Sequence, residues 1–345
     1  MPLTGREVRL ETYPRGEVRA TNFRIVEVPV WEPGPGEVVV RNTWTSVDPG
    51  LRLRLRERGP AGYFAAFPLN AAMDGIMTVG EVVESRAEGF SIGDTVWHAL
   101  GWRDYAVVEA DQPALGGLGT LTRLDTDLAS PQSYLGPLGG MGLTAYAGLF
   151  HAAGLRHGDV VWVSAAAGAV GSLAAQFAHI RGHRVIGSAG SDEKLSYLLD
   201  ELGLDAAFNY KAGPVAGLLR EAAPDGIDVY FDNVGGDHLE AALGALRTWG
   251  RVALCGAISE YESTGPTPGP SNLFQATANN LTLRGFRGSS YVHRMADMQR
   301  DVGGWLRDGR LRYHESIVAG LERAPEALMK LLSGEKIGKT LVRIA

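Results

Sequence analysis

The residues Ala165-Ala-Ala-Gly168-Ala-Val-Gly171 are small enough for a backbone to close on a bulky anion, and their flanks suit that task. Ahead of them lies Asp159-Val-Val-Trp-Val-Ser164, an apolar run of the kind buried on both faces of a parallel sheet. After them Val170, Leu173, Ala174, Phe177 and Ile180 recur at helical spacing. A strand, a tight turn and a helix in that order aim free N–H groups and the positive end of a helix dipole at a pyrophosphate. Glycines also end strands for steric reasons, but the strand–turn–helix context carries a dinucleotide reading, with alanines replacing the first glycine of the usual G-x-G-x-x-G pattern.

A second strand, Arg184-Val-Ile-Gly-Ser188, follows the helix. An NAD-preferring site would carry an acid at its end, about 20 residues past the turn, to hold the adenosine ribose. This chain has Ala189-Gly190-Ser191 there, followed by Lys194. An acid would repel a 2′-phosphate, whereas Gly190 leaves room, Ser191 offers a hydrogen-bond donor and Lys194 a compensating charge. NADPH is therefore the expected cofactor; the plainer reading of Lys194 is a solvated residue in the first turn of the next helix.

The elements that must position these residues run from about 131 to 311. After the first two strands come Ala206–Tyr210, Ile227–Asp232, Arg251–Gly256 and Leu281–Phe286, with helices expected at Asp192–Leu202, Val215–Ala222 and His238–Leu246. Six strands with intervening helices make a doubly wound parallel α/β sheet. The link Ser259–Pro270, rich in Pro and Gly, is expected as a surface loop. Residues 1–130 show short strand candidates, such as Glu37–Asn42 and Val79–Glu84, between Pro and Gly punctuation, which predicts a mainly β domain. Residues 312–345 hold one helix, about Ala324–Leu332, and a strand, Thr340–Ile344, expected to return and complete that first domain. Ligands favour domain junctions, so the cleft between the halves is the expected active site.

Composition limits the function. The 345 residues suit two domains, and 45% hydrophobic with 21% charged residues is the balance of a globular protein. A net charge of −6 argues against nucleic acid or an anionic membrane as the main partner. No apolar run spans a bilayer and Met1 to Glu7 lack a signal-peptide core, so a cytoplasmic enzyme is expected. The single cysteine, Cys255, excludes an internal disulfide and removes the thiolates of a cysteine-containing zinc site, so no metal is expected. It falls in Arg251–Gly256, which reads as a buried strand, where a cysteine acts as a small hydrophobe. The run Leu51-Arg-Leu-Arg-Leu-Arg56, with Arg58 after it, is expected as a solvated arginine face on a loop or short helix. A two-faced strand recruiting an anionic substrate through Arg52, Arg54 and Arg56 is the other reading.

The chain resembles the zinc-independent medium-chain dehydrogenase/reductase proteins, and among them the leukotriene/prostaglandin reductase and alkenal double-bond reductase group. The resemblance covers nearly the whole length. It rests on Ser46-Val-Asp-Pro49, Gly142-Leu-Thr-Ala-Tyr146, Ala165 to Gly171 with Gln176, Ala189-Gly-Ser191 with Lys194, Asn209-Tyr-Lys211, Phe231-Asp-Asn-Val-Gly-Gly236, Cys255-Gly-Ala-Ile-Ser259 with Tyr261, and Gly338-Lys-Thr340. It implies a GroES-like catalytic domain for the mainly β part, and a homodimer. Thr144 would face the nicotinamide; Ala167, Gly168, Ala169, Val170 and Gly171 would hold the pyrophosphate. Gly190, Ser191, Lys194 and Tyr210 would hold the adenosine phosphate. Asn233, Cys255, Gly256, Ala257, Ile258 and Phe286 would line the cofactor channel. Tyr261 would sit over the substrate carbonyl as the catalytic residue, with Asp48, Gly50, Tyr63 and Arg287 around the substrate. A loop tyrosine past a strand's carboxyl end stands where doubly wound folds bind ligands, although such a residue can also merely cover a cleft.

Four positions depart from the family pattern. Gly50 stands where many relatives carry an aromatic residue after Asp-Pro, which should widen or reshape the pocket. Gly140-Met141 replaces the usual Met-Pro, Lys336 a frequent Asn, and Arg287 an apolar residue. The expected activity is NADPH-dependent reduction of the carbon–carbon double bond of an α,β-unsaturated aldehyde or ketone. The alternatives are an NADPH:quinone oxidoreductase and a non-catalytic NADPH-binding sensor or structural protein.

Overall fold

The computed structural model of the chain describes residues 3–114 and 117–345; Met1 and Pro2 of the N-terminal stretch lie outside it. It divides into two units, one of residues up to 140 together with 315–345, the other of 141–314.

The second unit is built on a six-stranded parallel sheet. Its strands are β1 (Val160–Val163), β2 (Arg184–Ala189), β3 (Ala206–Asn209), β4 (Ile227–Asp232), β5 (Leu246–Leu254) and β6 (Thr282–Gly285), in the order β3-β2-β1-β4-β5-β6. That order reverses at β1/β4, the place where a doubly wound sheet opens a crevice beyond its carboxyl ends. Helices α1 (Ala169–Ile180), α2 (Asp192–Ser196, continued by a wide turn to Glu201), α3 (Val215–Ala222) and α4 (Gly236–Ala245) follow β1 to β4. Buried Trp162, Ile186, Tyr230 and Val252 gather from four strands against Leu219 and Ala242 of α3 and α4. The Trp162 and Tyr230 rings stack at 4.3 Å, adding about 0.5–1.5 kcal/mol to their area burial.

Two expected boundaries move. β5 begins at Leu246 because the ladder with β4 continues through an irregularity at Ile227/Val229, and Trp249 adopts a φ of +65° to allow it. The same strand ends at Leu254, so Cys255 lies just beyond it and not within it. Its N–H makes the last bond of the ladder with β4, to the Asp232 carbonyl at 2.9 Å.

The first unit pairs an N-terminal hairpin, Thr4–Leu10 with Phe23–Pro29, with a seven-stranded sheet. The strand Glu37–Ser46 is its hub and pairs antiparallel with Thr78–Ser85, Tyr105–Glu109 and Lys339–Arg343. The last of these lies parallel to Glu315–Ala319, which joins the chain's end to its beginning. The join is sealed by an ion pair. Lys339, 3% exposed, donates to Asp48 at 3.0 Å and to the Val47 and Thr340 carbonyls at 3.0 and 2.9 Å. Breaking such a pair leaves a buried charge unmatched, at about 3–5 kcal/mol.

The arginine run begins as the expected short helix and Arg58 is exposed, but Arg52 and Arg54 are not solvated and the run is no strand. Leu51–Arg54 form one helical turn in which Arg52 and Arg54 are 2% and 8% exposed. The Arg54 guanidinium donates to the carbonyls of Ala65 (2.9 Å), Gly75 (2.8 Å) and Asp74 (2.6 Å) and lies 3.7 Å over the Phe67 ring. Burial lowers its pKa to about 10, which leaves it charged at neutral pH. Arg52 donates to the Gly16 carbonyl at 2.7 Å. A planar fork can satisfy several carbonyls at once, and these two arginines fasten the chain around them instead of meeting an anionic substrate.

His98, buried at the end of the strand Thr95–His98 of the seven-stranded sheet, accepts from the Leu100 N–H at 3.1 Å, so its other nitrogen carries the proton given to Asn42 at 2.9 Å. Burial, with the Arg103 charge adding, lowers its pKa to about 3. The unfolded chain takes up a proton below about pH 6.5 and the folded chain only near pH 3, so stability falls as pH drops through that window, by up to about 1.4 kcal/mol per pH unit for this group. Thermal unfolding at pH 7 and 5 should show a smaller pH-dependent loss in His98→Gln than in the native chain. Equal losses would clear His98 of the effect.

Candidate cofactor and active site

Beyond β1 the chain makes the turn Ala165–Gly168, closed by a 2.9 Å bond from the Gly168 N–H to the Ala165 carbonyl. Ala165 itself takes φ +46°, so an alanine adopts the left-handed conformation usually given to glycine, at about 1–2 kcal/mol. Gly168 caps α1 with an extended backbone, and the Ser172 N–H bonds to its carbonyl at 2.9 Å. A methyl group on Gly171 would be driven into the Ala165 carbonyl, which makes glycine obligatory there. Ala167 is buried at 2% exposure, whereas Ala169 and Val170 are half-buried at the first turn of α1. The first-turn N–H groups of a helix are left for an anion.

At the end of β2, a methyl on Gly190 would sit 2.9 Å from the Tyr210 hydroxyl and 3.0 Å from its ring. Glycine thus lets the tyrosine of β3's exit lie across β2's exit, a cradle that any other residue would fill. Ser191 caps α2, its Oγ accepting from the Lys194 N–H at 3.4 Å, and its own proton can still be donated. Lys194 is half-buried on the first turn of α2; burial lowers its pKa, the nearby Lys211 charge adds to that, and Glu193 opposes it. A cation, a phenol and a hydroxyl around a glycine suit a phosphate on an adenosine ribose, and no side chain from Gly190 can intrude.

At the β1/β4 switch point the organising group is Asp232, 1% exposed. Its Oδ1 accepts from Tyr230 (2.8 Å) and from the N–H groups of Val234 (2.9 Å) and Gly235 (2.8 Å). Burial raises its pKa, and those donors oppose the rise. Its carbonyl accepts the Cys255 and Gly256 N–H groups at 2.9 and 3.0 Å. Ser164, the residue after β1, lies 2.9 Å from the Tyr230 hydroxyl and accepts from the Asn233 N–H at 3.0 Å, while the Asn233 amide donates to the Ser164 carbonyl at 2.7 Å. Ile258 N–H bonds to the Asn233 carbonyl at 3.2 Å. Three sequence-predicted residues therefore meet: a methyl on Gly256 would lie 3.0 Å from the Tyr261 hydroxyl and 3.4 Å from the Asn233 carbonyl. Ala257, which would touch a methyl on Gly235 at 3.1 Å, joins the same turn. Burial, aided by Asp232, pushes the Cys255 thiol up to about 12, so it is no nucleophile at neutral pH.

Thr144, on the helix Gly140–Ala147, has its hydroxyl against Gly288, where a side chain would collide with it. Phe286 meets Phe231 edge-on at 6.2 Å and fills the space a side chain on Gly148 would need. Arg287 is exposed and precedes the turn Gly288–Arg294. In the first unit, Asp48 is engaged by Lys339 and by the Ser46 hydroxyl. A methyl on Gly50 would stand 3.0 Å from the Tyr63 hydroxyl, so a loop aromatic takes the volume left by the missing side chain. Sequence reasoning passed over Asp232, Ser164, Tyr230 and Gly288. The signal for Asp232 was its place between an apolar strand and paired glycines.

Among the described residues, no group of three or more His, Cys, Asp and Glu could hold a metal ion, and no helix is long and apolar enough to cross a membrane. Residues 6–115 match the family described as the N-terminal domain of oxidoreductase, and residues 169–302 the family described as zinc-binding dehydrogenase. Prostaglandin reductase 1 of Rattus norvegicus is 41% identical over 318 residues, 89% of each chain. The NADP(+)-dependent 2-alkenal reductase of Nicotiana tabacum is 36% identical over 347 residues, 99% of this chain and 98% of that one. The crystal structure of CurA from Vibrio vulnificus in complex with NADPH superposes with a TM-score of 0.91 at 34% identity, covering 99% of both chains. With this likeness running through both units and the dinucleotide turn intact, the chain belongs to the medium-chain dehydrogenase/reductase superfamily, in the zinc-independent group that includes the prostaglandin and 2-alkenal reductases.

Proposed function

We propose that the chain is an NADPH-dependent reductase of the carbon–carbon double bond of α,β-unsaturated aldehydes and ketones. The observation that carries this reading is the phenol of Tyr261, held over Gly256 and beside Asn233 at the carboxyl end of the cofactor sheet. NADPH, when bound, supplies the hydride that reaches the substrate's β-carbon. The chain's own residues hold and orient: the Ala165–Gly171 turn and α1 take the pyrophosphate, and Ser191, Lys194 and Tyr210 take the adenosine phosphate. Tyr261 donates a hydrogen bond to the substrate carbonyl oxygen, where negative charge gathers as the enolate forms, and a proton then reaches the α-carbon from solvent or a cofactor hydroxyl. Gly50, Tyr63 and Arg287 are assigned to substrate selection. The names of the prostaglandin and alkenal reductases support the conjugated double bond as the target.

We also infer a homodimer. β6 is an edge strand with exposed residues, and Trp249, Leu273 and Phe274, on β5 and the segment leading to β6, are 65%, 54% and 76% exposed. An open edge beside apolar side chains is a template for a second copy. Sedimentation should give twice the chain mass, and Phe274→Glu should shift the protein toward monomer. A monomeric native chain at micromolar concentration would end this reading.

Lys194→Ala should weaken NADPH binding by about ten- to hundredfold and NADH binding little, because only the former loses a charge-assisted phosphate contact worth about 1.5–3 kcal/mol. Equal losses would remove Lys194 from the phosphate site. Tyr261→Phe should slow single-turnover hydride transfer to an alkenal more than about tenfold, the factor given by about 1.4 kcal/mol of lost transition-state stabilisation, with NADPH affinity unaltered. An unchanged rate would reduce the tyrosine to packing over Gly256. Faster NADPH oxidation with quinones than with enals or enones would move the assignment to a quinone reductase.

A further inference from the structure

Two cations, not one, meet at the exits of β2 and β3. The Lys211 N–H bonds to the Asn209 side chain at 3.1 Å, and the Asn209 amide donates to Asp192 at 3.1 Å, which ties β3's exit to the start of α2. One residue earlier, the Tyr210 N–H bonds to the Ala189 carbonyl at 3.1 Å, so the chain carrying Lys211 is stitched to the end of β2. The exposed Lys211 ammonium stands 5.9 Å from the centre of the Tyr210 ring, the ring that lies across Gly190. Lys194 and Lys211 feel one another: the charge of Lys211 is second to burial in disfavouring the protonated form of Lys194. Holding two ammonium groups at one glycine cradle costs free energy in the empty site, and a dianion set between them reverses the sign of that interaction.

We propose that Lys211 is a second cationic ligand of the adenosine 2′-phosphate, acting together with Lys194. Lys194 approaches from the first turn of α2 and is half-buried; Lys211 approaches from solvent. Lys194 therefore gives the stronger and less salt-sensitive contact, and Lys211 a contact that screening weakens. The proposal rests on NADPH as the cofactor and adds a residue to the set that selects it over NADH.

Binding of NADPH, NADH, adenosine 2′,5′-bisphosphate and 5′-AMP to the full chain, followed by fluorescence titration, tests it. Lys211→Gln should weaken NADPH and the bisphosphate by about three- to tenfold at low salt, with NADH and 5′-AMP unchanged, and the loss should shrink at high salt. Lys211→Arg should restore the affinity. Unaltered binding of the bisphosphate to Lys211→Gln, or parallel losses for NADPH and NADH, would overturn the proposal while leaving Lys194 in place. A native chain that bound NADH and NADPH equally would instead remove the whole 2′-phosphate site.

Discussion

The buried carboxylate of Asp232 is the constraint on which the ligand-facing end of the cofactor unit depends. Placing a charge at 1% exposure is costly, and three hydrogen-bond donors converge on one oxygen to offset the cost. Those donors are the means by which the turn after β4 is bent. Its reversal brings Asn233 back to the end of β1 and lets the first residues after β5 hang from the Asp232 carbonyl. Tyr261 closes the helical turn Ile258–Glu260 that follows, itself bonded to the Asn233 carbonyl, so the phenol proposed for the chemistry inherits its position from the Asp232 carboxylate. Removing the carboxylate would leave two backbone N–H groups unmatched and the Tyr230 hydroxyl with Ser164 as its remaining partner, which explains why the position tolerates burial of a group that burial disfavours.

Most of the cofactor unit was legible because the relevant signals are local. Val160–Val163 is apolar throughout and Ile227–Asp232 carries an apolar Val-Tyr-Phe centre, as strands covered on both faces should, and the helix after Gly168 has its own period. The boundary errors have a common origin. Leu246–Trp249 could not be read as strand because Trp249 adopts a left-handed backbone, and Cys255 looked like strand because its N–H still makes the last ladder bond, to the Asp232 carbonyl, before the chain leaves the sheet.

What the sequence hid is long-range. Arg52 and Arg54 alternate with leucines as a surface residue would, and only the fold shows that the partners of Arg54 are carbonyls at 65, 74 and 75. Gly50 was read as widening or reshaping the pocket, and only the fold shows that the Tyr63 hydroxyl, from further along the chain, stands where its side chain would be. Asp48 and Lys339 lie at opposite ends of the sequence, in two motifs that were read separately, and they meet as one buried ion pair. Each case is a side chain whose role depends on a partner that sequence spacing cannot name.

The left-handed alanine at 165 bears on how the pyrophosphate turn behaves before any ligand arrives. A glycine there would roam through both halves of backbone space, whereas an alanine confines the disordered chain and has little alternative in the folded one. The Gly168 bond and the close fit of Gly171 against the Ala165 carbonyl then hold the strained conformer. The backbone of this turn is thus a stiff template, set when the sheet folds, and little ordering of it is left for a ligand to impose.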